Sequence, residues 1–293
     1  TAGNIGPEAG TTYNLRVYGD GGVLRRSLSG LSGTTYTYTQ ASTSLSGTIA
    51  LLLPMFGANN GTAFTDYSTV PKTITRSGAV TVTSTSKYYG SSGYFDGSGD
   101  RLSAASHADF NLGTGDFTIG MWFNKKSGDA QTYQRLVQFG NDNTNGGLWL
   151  YANAGVANEC APYLATYSAG YTTVVAATAG AVTQDAWHHL EVNRSGSNWY
   201  LFLNGALAAS GSLAAYNAVQ NIVYVGANNT TTNEYAGYIQ DLYIIKGTAL
   251  HTTAFTPPEQ LVPPGDTQLT IELESSRSSL LSLQKHSVSV LRV

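Results

Sequence analysis

The stretch YYGSSGYFDGSGDRLSAASHADFNLGTGDFTIGMWFNK, residues 88–125, poses the question on which the fold turns. It is crowded with Gly, Ser and Asp, as a linker or an ion-binding loop would be. Yet two apolar pieces survive in it, at 93–95 and 117–123, each bounded by turn-forming residues. Short apolar runs punctuated in this way read as strands. The stretch therefore predicts a strand at 93–95, a tight turn over 96–100, a loop, and a central strand carrying Trp122. Aspartates are common in turns because their side chains bond nearby backbone amides, so turn chemistry is one reading of Asp96.

The same rhythm continues outward. FTIGMWF (117–123), RLVQFG (135–140), GLWLYAN (147–153), WHHLEVNR (187–194), NWYLFLNG (198–205), NIVYVGA (221–227) and GYIQDLYIIKG (237–247) all read as strands. Asn204-Gly205 is a hairpin signal. The chain of 293 residues holds 33 Gly and 19 Tyr, with only 11% charged residues. That composition suits short strands and tight turns, and no segment shows clean helical periodicity.

A formal net charge of −3 supplies no basic face for nucleic acid and no polybasic membrane patch. The longest apolar run, 49–56, is too short to span a bilayer. Cys160 stands alone, so no intramolecular disulfide is possible, and it reads as a small buried hydrophobe. The chain begins at Thr1 rather than Met, and is expected to be a piece of a longer polypeptide.

Both termini also alternate. Tyr13, Leu15 and Val17 lie in one strand, followed by a Gly19-Asp20-Gly21-Gly22 turn, and Tyr36 and Tyr38 share a face of another. Near the other end Leu269, Ile271 and Leu273 alternate with polar residues, as do Val288 and Val290. Neither piece can bury a core alone, so the two are expected to pair. TPPEQLVPPGD (256–266), with its four prolines, cannot enter a sheet interior and marks a boundary. The expected division is 1–47, 48–262 and 263–293.

Taken in order, LLLPMFGANNGTAFTDYS, the 88–125 stretch, WHHLEVNRSGSNWYLFLNGAL and GYIQDLYIIKGTALHTTAFTPP resemble the laminin G-like, concanavalin A-like lectin/glucanase superfamily, in the variant common in bacteriophage virion proteins. The resemblance implies an all-β fold, an antiparallel jelly-roll sandwich of two sheets, over residues 48–262. Residues 13–39 followed by 269–293 resemble the later strands of a fibronectin type III-like phage tail module. The jelly roll would then be inserted into a loop of this smaller sandwich, which loop tips tolerate. Phe117, Trp122, Leu201 and Leu203 are expected between the sheets.

Relatives of this fold hold a structural calcium ion through an Asp on the last strand and carbonyls near the first strands. The resemblance places that set at Asp96, Gly97 and Asp241, although Phe56 stands where family members tend to carry an acidic residue. Glucanases of the superfamily carry an E-x-D-x-E run that sets two carboxylates about 5 Å apart. No such run occurs here, and no nucleophile elbow, so the chain reads as no enzyme. His188-His189 fall on opposite faces of a strand and cannot share one metal in the usual way. Two polar loops, 140–147 and 226–235, offer the groups that meet sugar hydroxyls: Asp142, Asn143, Asn145, Asn228, Asn229 and Asn233. Hairpin turns would explain them equally. Tyr163, Tyr167 and Tyr171 recur every four residues, but without a helix that spacing carries no meaning, and they read as loop or sheet-surface tyrosines.

The expected function is a non-enzymatic virion component, a distal tail-fibre or tail-tip module that binds host surface glycans. Its expected partners are that glycan and other tail subunits, with a homotrimer the obvious carrier. Its expected place is the phage tail, extracellular after release. A purely structural or decoration protein is the alternative, and a glycan-degrading enzyme the third reading.

Overall fold

In the computed structural model the described residues are 13–18, 24–31, 35–38, 45–261 apart from 79–80, 84, 154, 157–158, 231 and 259–260, and 269–272. The chain divides into two units, Thr1–Ser42 with Val262–Val293, and Thr43–Leu261. In the smaller unit the described strands of the N-terminal piece are β1 (Tyr13–Tyr18), β2 (Leu24–Leu31) and β3 (Thr35–Tyr38). The larger unit carries β4 (Thr48–Leu53), β5 (Ile74–Ser77), β6 (Thr81–Thr83), β7 (Ser92–Asp96), β8 (Arg101–Ala104), β9 (Phe117–Lys125), β10 (Arg135–Phe139), β11 (Gly147–Tyr151), β12 (Tyr163–Tyr167), β13 (Tyr171–Ala176), β14 (His188–Ser195), β15 (Asn198–Leu203), β16 (Ala206–Ser212), β17 (Val223–Val225) and β18 (Ala236–Lys246). The C-terminal piece adds β19 (Leu269–Glu272) to the smaller unit. There β1 pairs antiparallel with β2, and β19 pairs antiparallel with β3, with Tyr36 in register with Ile271. The turn read at 19–22 and the strand read around 287–290 lie outside the described residues.

The larger unit is a jelly-roll-like sandwich of two antiparallel sheets. One has the order β13-β12-β11-β10-β17-β8-β5. The other has the order β16-β15-β14-β9-β18-β7-β6, with β4 also on β18. Alternation along the strands makes the core. Phe117, Ile119, Met121 and Phe123 of β9 and Leu190 and Val192 of β14 face Leu136, Phe139, Leu148, Leu150 and Leu164 of the other sheet in one buried cluster. Each such side chain contributes about 1.5–3 kcal/mol by leaving water. The described helical content is one short 3-10 turn, Ala108–Phe110, and no described helix is long and apolar enough to cross a membrane.

Phe117, Leu201 and Leu203 lie between the sheets as expected, but Trp122 does not. Period two along β9 sends Trp122 outward, against the segment that follows β18. Its indole donates to the Pro258 carbonyl (3.1 Å), with the His189 ring edge-on at 5.2 Å. That segment covers the outer face of the eight-stranded sheet. His251 bonds the fully buried Glu191 (2.7 Å), and Leu261 is buried beside Leu52, Tyr243 and Ile245. The proline-rich stretch is thus part of the larger unit as far as Leu261, and the division falls just after it. Gly120 is needed here, because a Cβ on it would sit 2.1 Å from the Tyr243 ring.

Candidate functional site

The other outer face, on the seven-stranded sheet, is paved with aromatic rings. Residues two apart on a strand share a face, so β11 presents Trp149 and Tyr151, and β12 presents Tyr163 and Tyr167. Tyr151 and Tyr163 are direct cross-strand partners and stack at 4.1 Å with planes 9° apart. Tyr171 opens β13 and lies over Trp149 at 4.8 Å, with Tyr167 edge-on to both. Trp149 is wholly buried while Tyr171 is 53% exposed, so Tyr171 is its cover. The Arg135 guanidinium lies 3.9 Å over Tyr151 and 5.7 Å from Trp149. Burial pushes the Tyr151 phenol up to about 12 and Tyr163 higher still, so both stay protonated donors at neutral pH.

Arg135 ties this face to the loops at its edge. Its Nε donates to Gln138 (2.9 Å) and one terminal nitrogen to Asp142 (3.3 Å). Asp142 in turn accepts from Asn228 Nδ2 (2.7 Å), and its backbone N–H donates to Asn229 Oδ1 (2.9 Å). Arg101 grips the same loop from the other side, donating to the carbonyls of Asn228 (3.1 Å) and Asn229, with its guanidinium over Tyr224. The structure therefore brings Asp142, Asn228, Asn229 and Asn233 together, the last accepting from Asn228 at 3.4 Å.

Asn228 does not sit as a ligand-facing amide. It is buried, and its Oδ1 accepts from the backbone N–H groups of Thr230 (3.1 Å) and Thr232 (2.7 Å). Both ends of the amide are occupied, so Asn228 shapes the loop. Asn143 is an exposed tip residue with φ of 57°. Asn145 points away from the group, its Oδ1 accepting from the Ala169 N–H (2.8 Å) beside a cavity of about 280 Å³ that Tyr216 and Asn217 also line.

The sequence profile of the concanavalin A-like lectin/glucanases superfamily, in its laminin G division, matches residues 96–252. The chain belongs to this superfamily. No curated protein matches it in sequence. Among solved structures it is similar to the binding domain of Paraclostridial Mosquitocidal Protein 1, with 14% identity, a TM-score of 0.52, and coverage of 70% of this chain and 50% of that one. The botulinum neurotoxin serotype D binding domain is similar at 15% identity and TM-score 0.51, covering 70% and 49%. So is botulinum neurotoxin type C, which depends on interaction with two ganglioside molecules to get into cells, at 12% identity and TM-score 0.51, covering 70% and 49%. The chain spans about half the length of each of these three. At such identities the likeness establishes the sandwich.

The calcium set that membership of this superfamily suggests does not fit these residues. Asp96 pairs with Ala236, the first residue of β18, five residues from Asp241 at mid-strand, or about 16 Å at roughly 3.3 Å per residue. Asp96 Oδ1 accepts from the Ser98 N–H (2.8 Å), the turn chemistry of an aspartate, and the Gly97 carbonyl accepts from Gln131. Asp241 is the extra residue of a bulge in β18, at φ of 51°. Its carboxyl meets the Tyr89 hydroxyl (2.7 Å) and the Leu261 N–H (3.3 Å). Burial raises it to about 8, against the lowering effect of those two bonds. Among the described residues no three His, Cys, Asp or Glu side chains gather as a metal site.

The two histidines of the W-H-H run do face opposite ways. His188 bonds Asn204 (2.9 Å) and the Thr183 carbonyl (3.1 Å), while His189 is buried against Tyr243 and Trp122. Sequence reading passed over Arg135, Trp149 and Tyr151. The available signal was the Trp-x-Tyr alternation of GLWLY, with the Tyr-x-x-x-Tyr of YLATY, which puts all four rings on one face once both segments are strands.

Proposed function

We propose that the larger unit is a non-enzymatic glycan-binding module, with the sugar held on the paved face of the seven-stranded sheet beside the Asp142–Asn229 edge. The observation that carries this reading is the joining of rings to fixed polar groups. Trp149, Tyr151 and Tyr163 are flat apolar rings of the kind sugars stack on, buried at rest with Tyr171 lying over Trp149, and Arg135 and Asp142 stand beside them. The ganglioside dependence of a toxin with the same sandwich supports it, since gangliosides carry sugars. Fold alone would not, because this sandwich hosts many functions.

The finer placement, a distal tail fibre or tail tip of a phage, rests on the likeness of the sequence to virion proteins. The fibronectin type III-like host module rests on the likeness of the terminal pieces and is supported by the pairing of β3 with β19. A single site on a sandwich face binds weakly, at roughly the millimolar level. Attachment would then come from several copies on one particle, such as a trimer joined to other tail subunits.

The test is a glycan microarray probed with the purified chain, followed by competition of the best glycan against adsorption to host cells. Binding to a defined subset that blocks adsorption supports the proposal. Absence of any binding favours the structural reading, which the mutually bonded edge loops also suit.

A further inference from the structure

Two donors beneath Tyr171 have no hydrogen-bond partner among the described residues: Trp149 Nε1 and Arg135 Nη1. Both are shut off from solvent, and their residues are 0% and 3% exposed. An unpartnered buried donor is costly, and more so when it is charged. Native structures rarely keep such groups without a reason, and here two fall on neighbouring strands of one face, the Arg135 guanidinium 5.7 Å from the Trp149 ring. Arg101 Nε, on the same face two strands away, is a third. The charges of this patch are also unequal: Arg135 pairs with Asp142, whose other oxygen serves Asn228, while Arg101 donates to backbone carbonyls and makes no ion pair among the described residues.

The cover over these donors is one side chain. Tyr171 stands on β13, an edge strand that pairs only with β12 within its sheet, directly after a turn in which Ala169 has φ of 58°. Its ring fills the space over Trp149 that a sugar ring would take, and its phenol lies beside the Arg135 guanidinium. It is held there by ring contacts and by the hydrogen bond of its phenol with Arg135, and half of it is already in water. Rotation of one exposed side chain would uncover an indole face, an indole N–H and a guanidinium N–H together.

Resting on the glycan-binding reading, we infer that the ligand is an acidic sugar, a uronic or sialic acid type of residue. Its carboxylate pairs with Arg135 Nη1 and Trp149 Nε1 after the Tyr171 ring swings off Trp149. A carboxylate supplies the acceptors that both donors lack and balances the excess guanidinium charge. A neutral hydroxyl could accept from both but would bring a single oxygen and no charge.

The experiment is titration calorimetry of the full chain with trigalacturonate and 3′-sialyllactose, each set against its methyl ester, at two salt concentrations. At least one acid is expected to bind at least tenfold more tightly than its ester, with affinity falling as salt rises. Tyr171→Ala removes the cover and is expected to tighten that binding about fivefold, the worth of one aromatic pair. Arg135→Lys, which keeps the charge but loses the planar fork, is expected to weaken it about tenfold at an unchanged melting temperature. Trp149→Phe removes the indole N–H together with the five-membered part of the ring, and serves in place of Arg135→Lys if that variant unfolds. Equal binding of acid and ester, or binding unmoved or weakened by Tyr171→Ala, overturns the inference while leaving glycan binding in place. No binding of either acid overturns it too, and a microarray that is also blank then removes the parent reading.

Discussion

Replacing Asp241 by Asn should make the protein progressively more stable than the parent as the pH rises. Asp241 sits in the β18 bulge, 1% exposed, with its carboxyl against Tyr89 and the Leu261 N–H. Burial lifts it from 3.8 to about 8, the two hydrogen bonds opposing in part. Between those values the folded chain holds a proton that the unfolded chain releases, so stability must fall as pH rises through that window. The associated stability is fully present below about pH 4 and is lost by the time pH has passed through about 8. At about 1.4 kcal/mol per pH unit the full loss is on the order of 5 kcal/mol. An amide has nothing to ionise, and it can repeat the bonding of the protonated acid, donating to the Tyr89 oxygen and accepting from Leu261. All four tryptophans of the chain lie in the larger unit, so urea unfolding followed by tryptophan fluorescence reports on the right structure. Curves for parent and Asp241→Asn at pH 5, 6, 7, 8 and 9 should diverge steadily up to about pH 8 and run parallel beyond. A gap between the two that is constant from pH 5 to 8 would refute the reasoning, because it would mean that Asp241 is ionised when folded.

His189 should govern the acid side. Its complete burial lowers it from 6.5 to about 4, so the unfolded chain takes up a proton that the folded one refuses, and stability is lost as pH falls from 6.5 towards 4. The loss is on the order of 3 kcal/mol, and melting curves of His189→Gln should show a flatter acid limb than the parent. Trp122→Ala should cost about 3–5 kcal/mol, as for other buried aromatics. Trp122→Phe loses the bond to Pro258 and the five-membered part of the indole and should cost less, about 1–2 kcal/mol, and equal losses in the two variants would show that packing of the remaining ring does not matter. Cys160 is 2% exposed and its thiol is pushed up to about 12 by burial. A thiol reagent at pH 8 should therefore react only at the rate of unfolding, and fast labelling of the native protein would contradict its placement.

The strands legible in the sequence were those that alternate over a buried face. Of the seven apolar segments read from 117 to 247, each overlaps one of β9, β10, β11, β14, β15, β17 and β18, with ends agreeing to within two residues. β16 went unread because ALAASGS carries no apolar alternation, and it lies on a sheet edge with mostly exposed residues. β13 hides in the same way, its first three residues being exposed. Trp122 shows the limit of period-two reading, which says that two faces exist but not which one meets the other sheet. The edge loops were legible as polar clusters, and Asp142, Asn228, Asn229 and Asn233 do gather. Whether an amide faces a ligand or its own backbone depends on loop dihedrals, such as the φ of 54° at Asn233, that composition does not encode. The paved face was missed because its parts, Arg135, Trp149, Tyr163 and Tyr171, come from four strands whose adjacency is a matter of sheet order.

The segment after β18 also bears on mechanics. Leu45, just ahead of β4, and Leu261 belong to one small apolar cluster on the outer face of the eight-stranded sheet, and Tyr89 and Asp241 clasp Leu261 there. The chain thus enters and leaves the sandwich at one spot, with β4 and β18 side by side. Tension along the polypeptide is carried across that spot and does not have to cross the body of the domain. The first thing to yield under load would be the clasp at Leu261, with the tail of the segment peeling back towards Pro258. The rings of the opposite sheet would stay unstrained while the tether took the force.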